Sequence, residues 1–204
     1  RPAESSGPRP KVTALVVDSV AEALATILRF DGPADVLMSR FFRHHHELGM
    51  RDRGQIAEAI FHALRRYATL GWVLQPAHPA RAPRFAALVT LARQHGLDAL
   101  DPRALRGDLN AVKHALAVDL SSAPGSVRAE LPHWLYAEIE RKYPDATELV
   151  EAMKDGAPLD LRVNSIRAER EVVLDELRAH HVAVEPTRYS PDGLRLVDKP
   201  GLMQ

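Results

Sequence analysis

The chain is predicted to be mainly α, with a helical domain followed by a smaller α+β domain. Up to Ala117, apolar residues recur at helical spacing in one segment after another. Between Leu159 and Asn164 the period changes: Leu159, Leu161 and Val163 alternate with Asp160, Arg162 and Asn164, as in a strand buried on one face. Between these regimes, residues 121–126 hold Pro124 and Gly125, the composition of a domain boundary.

Taken in order, residues 1–11 are Pro, Ser, Gly and charge, too polar to bury a core, and are expected to form a disordered tail. Residues 12–30 place Leu15, Val16, Val20, Ala23, Leu24, Ile27 and Leu28 on one helical stripe, which Asp31-Gly32-Pro33 ends. A shorter helix over 34–43 runs through Val36, Leu37, Phe41 and Phe42, and Gly49 marks a turn. Residues 52–74 then read as one long helix, burying Ile56, Ala59, Ile60, Ala63, Leu64, Tyr67, Leu70 and Val73 and carrying Arg53, Arg65 and Arg66 on its other side. Three prolines make 75–83 a loop. Two more amphipathic helices are expected over 84–95 and 102–117, the second started by Asp101 as cap and Pro102 at the first position. Residues 12–120 thus form an all-α domain, and 121–131 a linker. The α+β domain spans 132–204: helices over 132–142 and 145–154, a strand at 159–164, a helix over 168–180, and strands at 182–184 and 194–197. Lys199-Pro200-Gly201 reads as a connector, so this domain is expected to be cut short.

Composition excludes several function classes. The chain has no cysteine, hence no disulfide, no thiolate metal site and no thiol nucleophile, which fits a reducing cytoplasmic setting. No apolar run reaches the roughly 18 residues of a membrane span, and no signal peptide opens the chain, so no membrane partner is expected. The first residue is Arg, and a trimmed N-terminus is expected. A net charge of zero conceals an asymmetry. Residues 1–128 hold 17 Lys and Arg against 12 Asp and Glu, whereas 129–204 hold 10 against 15. A basic half is what phosphate contact requires, although an ordinary solvated surface shows such an excess too.

Catalytic motifs are missing. There is no Gly-x-Gly-x-x-Gly, no Walker loop and no His-Glu-x-x-His, and acidic pairs such as Asp175-Glu176 sit on a periodic helix as a solvated face would. The ordered series Leu131-Pro132-His133-Trp134-Leu135, Tyr143-Pro144, Ala157-Pro158-Leu159, Leu161-Arg162-Val163-Asn164 and Ser190-Pro191-Asp192-Gly193-Leu194-Arg195-Leu196 resembles the segment before the catalytic domain in the RsmB/Fmu (Sun) family of 16S ribosomal RNA cytosine-C5 methyltransferases. Helix order over 12–74, with Met50-Arg51-Asp52-Arg53-Gly54, resembles the NusB-like domain that opens this family. The resemblance implies a NusB-like helical domain, an RRM-like α+β domain, and 16S ribosomal RNA as partner. It also implies S-adenosylmethionine as cofactor of a catalytic domain beyond Gln204, with which this region would be in contact. No cofactor or metal is expected in this chain, which is expected to be monomeric and by itself inactive.

Candidate RNA contacts follow from chemistry and resemblance together. Arginine binds phosphate bidentately and stacks on unpaired bases. Arg40, Arg43, Arg51, Arg53, Arg65 and Arg66 are expected around one helix–turn–helix junction; Arg53 reads equally well as a fold lock paired with Asp52 or Glu58. His44 opens His44-His45-His46, where successive side chains point about 100° apart; this suits RNA contact or a solvated helix end better than a metal site. Arg162, Asn164 and Arg167 are expected on or beside the polar face of the first strand. No aromatic pair accompanies them on that strand, which favours docking against a neighbouring domain over base stacking. Trp134 and Tyr143 read as core or interdomain packing.

Two other functions fit the same features: a free-standing NusB-like RNA-binding or antitermination factor, and an interaction module for ribosomal proteins. Salt separates them, because phosphate contacts weaken steeply as salt rises.

Overall fold

The computed structural model describes residues 12–143, 145–154 and 157–197. The tail at 1–11, Pro144 and the connector at 199–201 lie outside the described residues. Two compact units divide after Glu151.

In the first unit, Val12 joins Leu100 in a parallel bridge before Thr13 caps α1 (Ala14–Ile27) by accepting the Val16 N–H at 3.3 Å. Helix α2 (Ala34–His44) follows as expected, and after it comes α3 (Met50–Arg65). The long helix of 52–74 is in fact two helices: Arg66, at φ −118° and ψ 31°, separates α3 from α4 (Tyr67–Val73). The helix break is satisfied from elsewhere in the chain, because the Glu130 carboxylate accepts the N–H groups of Ala68 at 2.8 Å and Thr69 at 3.1 Å.

Helix α5 (Pro83–His95) starts with Pro at its first turn and buries every residue from Ala86 to Ala92. It was expected to be amphipathic; instead, its small Ala86 and Ala87 let neighbours approach all round, so it is the central helix of the unit. The helix expected over 102–117 is likewise interrupted. Arg106 is left-handed at φ 42° and Gly107 lies at φ 90°, giving α6 (Pro102–Leu105) and α7 (Leu109–Ala117). An ion-pair network supports this corner: Arg84 binds Asp18 and the Ala104 carbonyl, while Arg106 reaches Asp18 at 2.8 Å.

The expected linker at 121–131 is packed. It holds α8 (Gly125–Arg128), buries Ala123 and Ala129, and supplies Glu130 to α4. Helix α9 (His133–Lys142) buries no residue completely, and Trp134 is 68% exposed with Tyr143 also on the surface, so neither aromatic belongs to the core. Helix α10 (Ala146–Lys154) buries Ala146 and Val150.

The second unit pairs β1 (Leu159–Arg162), β2 (Val184–Pro186) and β3 (Gly193–Leu196) in the antiparallel order β1–β3–β2, with α11 (Arg170–Ala179) preceding β2. Leu194 and Leu196 face Val163, Leu174 and Val184 in a core of its own, with Leu159, Leu161, Val173 and Leu177 packed around it. Period-two alternation therefore leaves Asp160, Arg162, Glu185 and Arg195 on the opposite face, which carries the site below.

Candidate nucleic-acid interface

The outer face of the sheet is built by strand register. Asp160 and Glu185 both stand opposite Arg195. Arg195 grips Asp160 through two hydrogen bonds, Nε at 2.7 Å and Nη2 at 2.8 Å. The pairing holds the Asp160 carboxyl below the usual carboxylate range and the Arg195 guanidinium above its ordinary value. One position along, Arg162 stands opposite Gly193. The loop from β2 to β3 folds over this glycine: the Thr187 N–H donates to the Gly193 carbonyl at 3.0 Å, and the Thr187 hydroxyl donates to the Ser190 carbonyl at 3.2 Å. A Cβ at Gly193 would collide with that hydroxyl.

This loop presents Arg188 and Tyr189 outward, with the Arg188 guanidinium 5.1 Å from the centroid of the Tyr189 ring. Together with Arg162 and Arg195 they line a cavity of about 460 Å³. Arg195 is neutralised by Asp160. Arg162 and Arg188 have no carboxylate partner among the described residues, so the cavity is positive. The strand pattern pointed to Arg162, but Arg188 and Tyr189 were missed because they belong to a loop. An Arg-Tyr pair in a turn is the signal that could have found them.

Asn164 and Arg167 lie beyond the end of β1. Asn164 accepts the Ile166 N–H through its side chain at 3.2 Å and the Arg167 N–H through its carbonyl at 2.8 Å, so it shapes the loop. Arg167 is exposed on that loop.

In the first unit the six arginines do not share one junction. Arg40 and Arg43 are exposed on the last two turns of α2, and Arg51 is exposed in the first turn of α3. Arg65 lies at the far end of that sixteen-residue helix, roughly 20 Å away at about 1.5 Å per residue. Arg53 is occupied within the fold: its Nε donates to the Leu48 carbonyl at 3.0 Å, its Nη2 to the His45 carbonyl at 3.2 Å, and its guanidinium lies 5.5 Å from the Phe42 centroid. Its partners are backbone carbonyls and a ring, in place of the acids Asp52 and Glu58. His44 turns Nδ1 onto the Arg40 carbonyl at 2.8 Å, closing the helix end.

Arg65 and Arg66 instead join a cluster not foreseen from the sequence, with His62 on α3 and Arg93 on α5. Burial lowers the His62 pKa, and Arg66, Arg65 and Arg93 lower it further while Glu58 opposes them. Burial also lowers Arg93, with Arg66 adding to it and Glu130 opposing. Three arginines therefore lie around His62, with the acid Glu58 beside His62 and Glu130 beside Arg93.

Residues 131–202 match the family model for the RsmF/B-like methyltransferase ferredoxin-like domain. The chain is 28% identical over 182 residues to ribosomal RNA small subunit methyltransferase B of Pectobacterium carotovorum, covering 75% of this chain and 42% of that protein. It is also 28% identical over 134 residues to the protein of the same name from Photorhabdus laumondii, covering 63% of this chain and 29% of that one. The chain therefore spans less than half the length of these relatives. The crystal structure of PH0851 agrees in fold, with a TM-score of 0.54 at 12% identity over 97% of this chain and 50% of that one. The ordered motifs from Leu131 to Leu196 coincide with the matched domain, and over these residues the chain is similar to the ferredoxin-like domain of RsmF/B-like methyltransferases.

Proposed function

We propose that this chain is the RNA-recognition and scaffolding region of an S-adenosylmethionine-dependent ribosomal RNA cytosine-C5 methyltransferase acting on 16S RNA in the cytoplasm. The observation that carries this reading is the sheet face, where Arg162 and Arg188 stand uncompensated beside the exposed ring of Tyr189. Free guanidinium groups bind phosphate, and an exposed ring suits RNA better than it suits solvent. The cluster of Arg65, Arg66 and Arg93 around His62 offers a second phosphate-binding surface. The relatives' names, ribosomal RNA small subunit methyltransferase B, support the substrate class.

The residues present do not fit the methyl donor or the nucleophile of that reaction. The chain has no cysteine, and its glycines form no Gly-x-Gly-x-x-Gly loop. Among the described residues the one sheet is antiparallel, without the parallel strand–helix–strand crossover that opens such a loop onto a helix. No step of methyl transfer is assigned to them; binding and positioning of RNA beside a catalytic domain are the roles this chain serves, as a monomer. No helix among the described residues is long and apolar enough to cross a membrane.

Ultraviolet cross-linking of the chain to protein-free 16S ribosomal RNA, with peptides identified by mass spectrometry, tests the reading. Cross-links are expected in peptides containing Arg188–Tyr189 and Arg65–Arg66. Cross-links confined to other surfaces, or none, would contradict it.

A further inference from the structure

The cavity on the outer sheet face has the makings of a site for one particular form of RNA. We propose that it cradles an unpaired nucleotide of an RNA strand, with the base stacked on Tyr189 and the flanking phosphates held by Arg162 and Arg188; this rests on the RNA-recognition reading above.

Tyr189 is 86% exposed, an unusual state for a ring that would ordinarily bury its apolar faces. One side of it meets the Arg188 guanidinium, which leaves the other to a planar ligand. The loop that carries it is tied down by the Thr187 N–H to Gly193, by the Thr187 hydroxyl to Ser190, and by Arg170 to the Ser190 carbonyl at 3.5 Å. A ring presented from a tethered loop loses little conformational freedom when it stacks. At about 460 Å³ the cavity falls within the range of about 300–1,000 Å³ typical of small-ligand pockets. Thr187 and Ser190 line it and bring polar atoms within reach of a base edge or a ribose hydroxyl.

Charge decides the orientation. The bidentate pair with Asp160 cancels Arg195 at one end of the cavity, so the anionic backbone is drawn to Arg162 and Arg188, and the base to the ring. In a duplex the base faces are covered by their neighbours, so only an unpaired nucleotide can use Tyr189.

The test is fluorescence anisotropy with the full chain, using a labelled single-stranded 12-mer of mixed sequence and the duplex it forms with its complement. The single strand is expected to bind about tenfold more tightly than the duplex. Tyr189→Ala should weaken single-strand binding about tenfold and leave duplex binding unchanged, while Tyr189→Phe, which keeps the ring, should retain it. Cytidine monophosphate should compete only at concentrations far above those of unlabelled 12-mer. Equal affinity for both forms, or an unaltered Tyr189→Ala variant, would overturn the unpaired-nucleotide cradle while leaving RNA recognition standing. Competition by the mononucleotide at 12-mer concentrations would assign the cavity to free nucleotides. Failure of both RNA forms to bind at low salt would overturn the recognition reading itself.

Discussion

Glu130 and Thr69 are joined by the Glu130 carboxylate accepting the Thr69 backbone N–H, at 3.1 Å through Oε1 and 3.3 Å through Oε2, while the neighbouring Ala68 N–H bonds to Oε2 at 2.8 Å. A residue far along the chain thus caps α4 where the helix breaks. Glu130→Ala should lower the stability of the helical unit by about 1–2 kcal/mol, the usual loss when a capping acceptor goes and its N–H groups stay unsatisfied. Urea unfolding followed by far-ultraviolet circular dichroism measures it; an unchanged midpoint would show that water satisfies these groups equally well.

Arg53 is expected to matter for stability and little for RNA. Its two hydrogen bonds to the Leu48 and His45 carbonyls tie the α2–α3 turn, and Arg53→Ala should cost about 1–3 kcal/mol. Arg65→Ala, on an exposed side chain without a carboxylate partner among the described residues, should leave the unfolding midpoint within about 0.5 kcal/mol of wild type. The reverse pattern would show that the two arginines have been assigned the wrong roles.

The pKa values of two histidines of the helical unit should be shifted in opposite directions. His45 is raised above its ordinary value of about 6.5, first by its hydrogen bond to the Phe41 carbonyl at 2.9 Å and then by Glu22 and Glu47, against burial. Its stabilising contribution is fully present below the unfolded pKa and is lost as pH rises through the raised folded value. His62 is lowered from the same ordinary value by burial and then by Arg66 and Arg65. Its contribution is present above the unfolded pKa and is lost as pH falls through the lowered folded value. Nuclear magnetic resonance titration of the imidazole protons reads both, and Arg66→Ala should move His62 upward while leaving His45 in place. A His62 unmoved by that substitution would contradict the cluster.

Gly193 should tolerate no side chain. Gly193→Ala drives a Cβ into the Thr187 hydroxyl, so the loop of Arg188 and Tyr189 must shift. A loss of about 1–3 kcal/mol in the stability of the α+β unit, accompanied by weaker RNA binding, is expected. Wild-type stability and binding in this variant would show that the loop geometry is dispensable.

Much of the fold was legible because periodicity reports burial directly. Leu159 and Leu161 alternate with Asp160 and Arg162 because β1 has one buried face, and the stripe of Val16, Val20, Leu24 and Ile27 marks α1 for the same reason. The breaks were not legible. Arg66 interrupts a continuous helical pattern, and the group that satisfies the interruption is Glu130, whose proximity is set by tertiary packing. Gly107 did offer a local signal for the break between α6 and α7, but the apolar pattern on both sides masked it. The site divides in the same way. Arg162 follows from alternation, whereas Arg188, Tyr189 and Arg93 come to their places through strand register and helix packing, which leave no local mark.

The most direct test of RNA recognition is a salt series: titration of protein-free 16S ribosomal RNA with the chain, with an Arg65→Ala, Arg66→Ala variant and with an Arg162→Ala, Arg188→Ala variant. Saturable binding is predicted, with the logarithm of affinity falling by about 0.7 per phosphate contact for each tenfold rise in salt, and a shallower slope in both variants. Binding that ignores salt, or the wild-type slope in both variants, would contradict the account.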